Sequence, residues 1–220
     1  MDTLFNTFLV LHIIGGGTGL ITGTINIAHK KGDKIHRQSG KVFLYSMLTA
    51  GFSSLVLSVL HVNYFLFIVG ILTIYLTSTG KRYLLFKQTL QTPQKIDWIL
   101  TFGILLTALI FISLGILRLI NSDKFGIVFI VFGILGIRFF WIDFINYKGK
   151  SGIKNYWLTG HLQRMIGSYT SAITAFLVVN GRYMPTVFPS FVVWILPTVI
   201  LLPLIIIWTR KYKKEIKNYA

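Results

Sequence analysis

Uncharged stretches of about twenty residues recur along this chain, and they constrain its fold more than any motif does. From Thr3 to His29 there is no Asp, Glu, Lys or Arg, and similar stretches follow around 42–61, 64–80 and 187–208. About twenty helical residues at 1.5 Å each cross a hydrocarbon core of about 30 Å. In lipid the backbone must satisfy its own hydrogen bonds, so such stretches are read as transmembrane helices. Only 13% of the 220 residues are charged and 54% are apolar, against roughly a quarter charged in a soluble domain. The expectation is an all-α polytopic membrane bundle, one integral membrane domain over residues 1–220. Seven spans are expected at about 4–27, 42–61, 64–80, 97–118, 125–146, 156–179 and 187–208.

The net charge of +16 does not point to nucleic acid, because its distribution follows the bundle. Alternate connecting segments carry Lys30, Lys31, Lys34, Arg37 and Lys41, then Lys81, Arg82, Lys87 and Lys95. Lys148, Lys150 and Lys154 follow, and the tail brings Arg210, Lys211, Lys213, Lys214 and Lys217. The opposite segments hold only Arg118, Lys124 and Arg182. The positive-inside bias then predicts an external N-terminus and a cytoplasmic C-terminus, in a bacterial inner membrane. Trp98, Trp157 and Trp208 fall at the basic span ends, where indole rings favour the headgroup level. Asp2 replaces a basic leader region and no small-residue cleavage site follows, so the first span is read as retained. The absence of cysteine removes disulfides, thiolate metal sites and cysteine nucleophiles.

The first span contains "LHIIGGGTGLITG", residues 11–23. No Walker loop is present, since no G-K-[ST] follows, and no preceding strand supports a dinucleotide fold. At helical spacing, His12, Gly15, Gly16, Gly19, Gly23 and Asn26 share a face. Gly15, Gly19 and Gly23 at four-residue steps suit close helix approach. The same face, with Gly16 and Gly19 stripped of side chains, also suits the wall of a flat cofactor. His12 lies about two turns inside the outer edge, and an intramembrane ionisable residue is a candidate functional group. On the second span, Ser46, Ala50, Ser53, Leu57 and His61 form a face ending at the outer mouth. His12 and His61 are therefore the candidate ligands of a haem b iron, although His12 is expected to lie about 10 Å deeper than His61.

A second constellation lies in spans five and six. Arg138 and Arg164 are thirteen residues either side of Ser151, which places them at matching depth in an antiparallel hairpin, about 12 Å inside the span ends. Asp143 falls near Thr159 by the same count, with His161 slightly deeper. Gly160, Gly167, Ser168, Ser171, Ala172 and Ala175 give span six a small-residue face that turns His161 and Arg164 inward. Two guanidiniums and one carboxylate leave a positive excess that suits an oxyanion: a lipid phosphate, a haem propionate or an anionic substrate. Snorkelling to the headgroups, or pairing of Asp143 with one arginine, accounts for the same residues without a ligand. The first basic loop, "HKKGDKIHRQSGK", has Gly32 and Gly40 as turn positions and places His36 and Arg37 at the mouth beside this cluster. The candidate anion site is thus Arg138, Arg164, His161, Asp143, His36 and Arg37.

The first-span "LH" and glycines, the "KGDKIHRQSGKVF" segment and "HLQRMIGSYTSAITAFLVVN" together resemble a large group of uncharacterised bacterial multi-pass membrane proteins. The resemblance covers about a third of the chain and implies no particular activity. The "LH" dipeptide is also similar to the start of small haem-binding membrane proteins, which implies an axial-ligand role for His12. Three functions stand open. One is haem binding in membrane redox or cofactor handling. Another is transport or lipid handling through the Arg138/Arg164 anion site. The third is an assembly or structural subunit. Membrane lipids, other membrane subunits or a second copy are the expected partners. A hydrolase is disfavoured, because only six carboxylates exist and no serine–histidine–acid or multi-histidine set shares one depth.

Overall fold

The computed structural model describes residues 2–85, 92–183 and 190–213. These fold into seven α-helices: α1 (Asp2–Ala28), α2 (Lys34–Leu60), α3 (Tyr64–Leu85), α4 (Lys95–Ile120), α5 (Gly126–Tyr147), α6 (Tyr156–Asn180) and α7 (Ser190–Tyr212). There is no strand among the described residues. Six helices, all but α6, are long and apolar enough to cross a membrane. The expected start of the last span at 187 lies outside the described residues, as do Lys87, Lys214 and Lys217.

The chain divides into two compact units. Among the described residues, one comprises those of 2–81 and 160–212, the other those of 82–159 with Lys213. In the first unit, α1 and α2 form a hairpin whose turn is only five residues. Asp33 caps α2, its carboxylate accepting from the His36 N–H at 2.7 Å. The helix therefore begins eight residues before the span expected from hydropathy, and His36, Arg37 and Gly40 are helical rather than loop residues. Capping overrides the polar composition because an Asp carboxylate satisfies an N–H that the first turn leaves unpaired. Gly32, at φ +83°, is the one turn glycine here, in the left-handed region that side chains avoid.

Lys31 closes the other end of this turn. Its Nζ donates to the carbonyls of Asn26 (2.8 Å), Ile27 (2.7 Å) and His29 (3.1 Å) and lies 4.1 Å from the Trp208 ring centre. A cation at the C-terminus of α1 meets carbonyls that have no helical partner. The apolar stem and the indole face ties α7 to the same end.

The helix α6 is the polar axis of the first unit, which is why it falls outside the apolar class. Gln163 donates to Thr209 at 3.3 Å, and His161 Nδ1 bonds the Gly80 carbonyl at 2.8 Å. Ser168 shares a 2.7 Å hydrogen bond with Thr77, and Tyr169 one of 2.6 Å with Thr24. Successive turns of α6 thus bond α7, α3 and α1. Around them pack Phe43, Met47, Leu162, Ile166, Tyr169 and Leu201. Lipid tails are as apolar as leucine, so packing and interhelical hydrogen bonds do the work that hydrophobicity does in water.

The second unit is built on the α4–α5 hairpin. Gly115 and Gly126 meet almost backbone to backbone, and a Cβ at Gly133 would stand 2.9 Å from the Ala108 carbonyl oxygen. Asp123 closes the turn, accepting from the Phe125 N–H at 2.9 Å and from Arg118. Outward-facing positions such as Ile99, Leu106, Ile116, Ile127 and Ile134 are exposed and apolar, the surface a bilayer would cover.

Candidate functional site

The glycine-rich span resolves into a packing seam. A Cβ at Gly15 would lie 2.8 Å from the Ser46 carbonyl oxygen and 3.0 Å from the Ala50 nitrogen. At Gly19 it would meet the Met47 sulfur at 2.6 Å, and at Gly23 it would enter the Tyr169 ring. All three glycines are buried. Gly16, expected on the same face, has nothing within 4 Å of a Cβ position, so the contact face is narrower than the sequence pattern suggested.

His12 continues this seam. It is half-buried, and its Nδ1 lies 3.0 Å from the Ala50 carbonyl oxygen. A carbonyl only accepts, so Nδ1 carries the proton and Nε2 is left with a lone pair. His61 is elsewhere. It caps the far end of α2, is exposed, and sets its ring edge-on to Phe5 at 4.4 Å. Eleven residues of α2 separate Ala50 from His61, about 16 Å along the axis. The two imidazoles are not brought to one iron. Among the described residues no three His, Asp or Glu side chains converge on a metal position.

The anion-site candidates divide by burial. Arg164 is 2% exposed, with its guanidinium carbon 5.1 Å from the centre of the Tyr75 ring. Arg138 is exposed on the outer face of α5, alongside Ile134, Ile137 and Trp141. The exposed guanidinium and the buried one are thus distinct residues of the predicted pair. Asp143 is fully buried in the second unit, where its carboxylate accepts from Tyr83 at 2.6 Å. Arg37 is exposed on the first turns of α2.

What the first unit does assemble at its basic end is a group of basic side chains from four segments. His161 is anchored to Gly80 of α3, and its electrostatic neighbours are His36 of α2 and Lys81 of α3. His36 in turn faces Lys31 and Asp33, and its Nδ1 is buried without a hydrogen-bond partner. Burial pushes the Lys31 ammonium below the usual lysine value. The carboxylate here, Asp33, is committed to the α2 cap and to His29, 3.9 Å away. Gly80 makes the arrangement possible: a Cβ there would stand 3.1 Å from the Arg164 Cβ. Only a bare backbone lets α6 come near enough for His161 to reach a helix carbonyl.

The second unit holds a different network. Arg82 grips Asp97 through Nε at 2.7 Å and Nη2 at 2.8 Å, and Nη2 also donates to Gln94 at 2.8 Å. Asp97 is fully buried and accepts from the Gln94 N–H at 2.8 Å, closing a capping box at the start of α4. Tyr83 accepts from Asn146 at 2.9 Å while donating to Asp143. The rings of Trp98 and Tyr147 meet edge-on at 5.5 Å. Sequence reasoning reached Asp143 but missed Asp97, Tyr83 and Asn146. A signal existed: Gln94 and Asp97 stand three apart ahead of an apolar run, the spacing of a capping box. Tyr83 carried none, since a tyrosine in an apolar span reads as core.

Compared with known proteins, the chain matches no family model, no curated sequence and no solved structure.

Proposed function

We propose that this is a multi-pass protein of a bacterial inner membrane that binds an anionic group at the cytoplasmic end of its first unit. It would act in transport or in lipid handling. The observation that carries the reading is the convergence of Lys31, His36, Lys81 and His161, with Arg164 one turn further along α6. Charged groups this close to hydrocarbon are expensive without a compensating partner. Arginine and protonated imidazole both donate to phosphate-like oxygens. Lys31 of this group lies 4.1 Å from the Trp208 ring, and indole rings favour the headgroup level.

The test is retention of anionic lipid or solute through purification, read by mass spectrometry. Arg164→Gln and His161→Leu, which leaves no N–H to donate, should lose the bound anion, whereas Arg138→Gln, on the exposed face of α5, should retain it. Equal retention in all three variants would sink the reading.

A haem reading keeps one support. The Ala50 carbonyl orients His12 as second-shell acceptors orient metal-binding histidines. His12 would then ligate without His61, and an absorption spectrum of protein expressed with excess haem decides it. A Soret band abolished in His12→Ala favours haem; a colourless protein excludes it.

A further inference from the structure

The tautomers of the two histidines at the basic end bear on how such a site fills. His161 presents Nδ1 to the Gly80 carbonyl at 2.8 Å, so in the neutral ring that nitrogen holds the proton and Nε2 is a bare acceptor. The Nδ1 of His36 is buried without a hydrogen-bond partner, where a bare lone pair costs less than an orphaned N–H, so the neutral ring carries its proton on Nε2. Both neutral rings therefore turn lone pairs toward their surroundings. A sulfate or lipid phosphodiester oxygen only accepts, and it gains nothing from either ring until a second proton arrives.

Resting on the anion-binding reading, we infer that the site is proton-coupled: an oxyanion, whether a free ion or a lipid headgroup, binds together with protons taken up by His36 and His161 from the aqueous side. Each proton adds to the imidazole lone pair, Nδ1 of His36 or Nε2 of His161, and turns an acceptor into a charged donor. No other bond changes. The charged groups facing the pair are Lys31 and Asp33 at His36 and Lys81 at His161, with Arg164 on the same helix. Two ammoniums are already present and Asp33 is held by the cap. The compensating negative charge for imidazolium therefore comes from the ligand. Such coupling makes anion occupancy follow the proton activity at that membrane face.

The experiment uses the full chain in phosphatidylcholine nanodiscs, titrated calorimetrically with sulfate, whose charge is constant over the range tested. Titrations in two buffers of different ionisation enthalpy report protons taken up per anion. Near neutral pH one to two protons should enter, and affinity should fall about tenfold per pH unit for each proton coupled. His36→Gln and His161→Gln donate an N–H without titrating, so each should bind sulfate with a shallower pH slope. A parallel series replaces part of the phosphatidylcholine with phosphatidylglycerol and counts retained lipid at about pH 6 and about pH 8. Coupling with sulfate assigns a soluble oxyanion, and pH-dependent retention of phosphatidylglycerol alone assigns a headgroup. Binding of either probe with no proton uptake and no pH slope overturns the coupling and leaves the anion site standing. Failure of both probes to bind at any pH overturns the anion site itself. The wild-type titrations decide both points even where a variant does not fold.

Discussion

The α1–α2 seam can be tested position by position, because the space at each glycine is known. At Gly15 a methyl group would press on the Ser46 carbonyl oxygen at 2.8 Å and the Ala50 nitrogen at 3.0 Å, with Thr49 Cβ at 3.3 Å. The first two are backbone atoms of a helix, which cannot move unless α2 retreats as a whole. Retreat would also stretch the 3.0 Å bond from His12 to the Ala50 carbonyl. Overpacking of this kind costs about 1–3 kcal/mol, and a weakened interhelical hydrogen bond in a membrane adds about 0.6 kcal/mol. Gly15→Ala should therefore shift the unfolding equilibrium by about 15- to 400-fold. At Gly19 the obstacle is the Met47 sulfur at 2.6 Å, the tip of a flexible side chain that can rotate away. Gly19→Ala should cost less, about 1 kcal/mol. Gly16→Ala meets nothing within 4 Å, and it removes the entropic cost of a mid-helix glycine, so it should stabilise by about 0.5–1 kcal/mol. The assay is reversible unfolding in detergent micelles, or thermal inactivation where unfolding is irreversible. The expected order of stability is Gly16→Ala, wild type, Gly19→Ala, Gly15→Ala. Equal stability of the Gly15 and Gly16 variants would refute the seam. So would a Gly16 variant that folds well but loses a bound cofactor, since Gly16 would then serve a ligand.

Other parts of the molecule make further predictions. Asp97→Asn should destabilise by about 2 kcal/mol in an unfolding assay, with the partial exposure of Arg82 (20%) setting the reduction from a fully buried pair. An unchanged midpoint would show the bidentate contact to be idle. For the fully buried hydroxyl pair, a Thr77→Val and Ser168→Ala double-mutant cycle should return a coupling of about 0.6 kcal/mol, below about 1.7. Coupling indistinguishable from zero would mean that each hydroxyl serves its own helix. The Phe125 N–H, and then Arg118, hold the Asp123 carboxyl below its ordinary value of 3.8. A depressed folded value means that its contribution is present above about pH 3.8 and lost as pH falls further. The protection of the 121–125 amides relative to intrinsic exchange should therefore fall on acidification in wild type and stay constant over that window in Asp123→Asn. Parallel profiles for the two proteins would contradict the assignment.

What the sequence by itself determined was the helices, their order and the membrane length of six of the seven expected spans. Uncharged length and interrupted composition set these, and neither depends on how helices meet. It also marked Gly15, Gly19 and Gly23 as a close-packing set, because their four-residue spacing is a property of one helix. What only the tertiary structure decided was rotation and partnership. Gly16 fell off the seam, His12 found the Ala50 carbonyl, and Arg138 turned outward while Arg164 turned in. In water, apolar against polar faces would have announced those rotations. Here both exposed and core-facing positions are apolar, so the pattern that orients a soluble helix is nearly flat. Orientation is then set by where backbones can touch and where a hydroxyl or imidazole finds a carbonyl, and those contacts come from residues far apart in the chain.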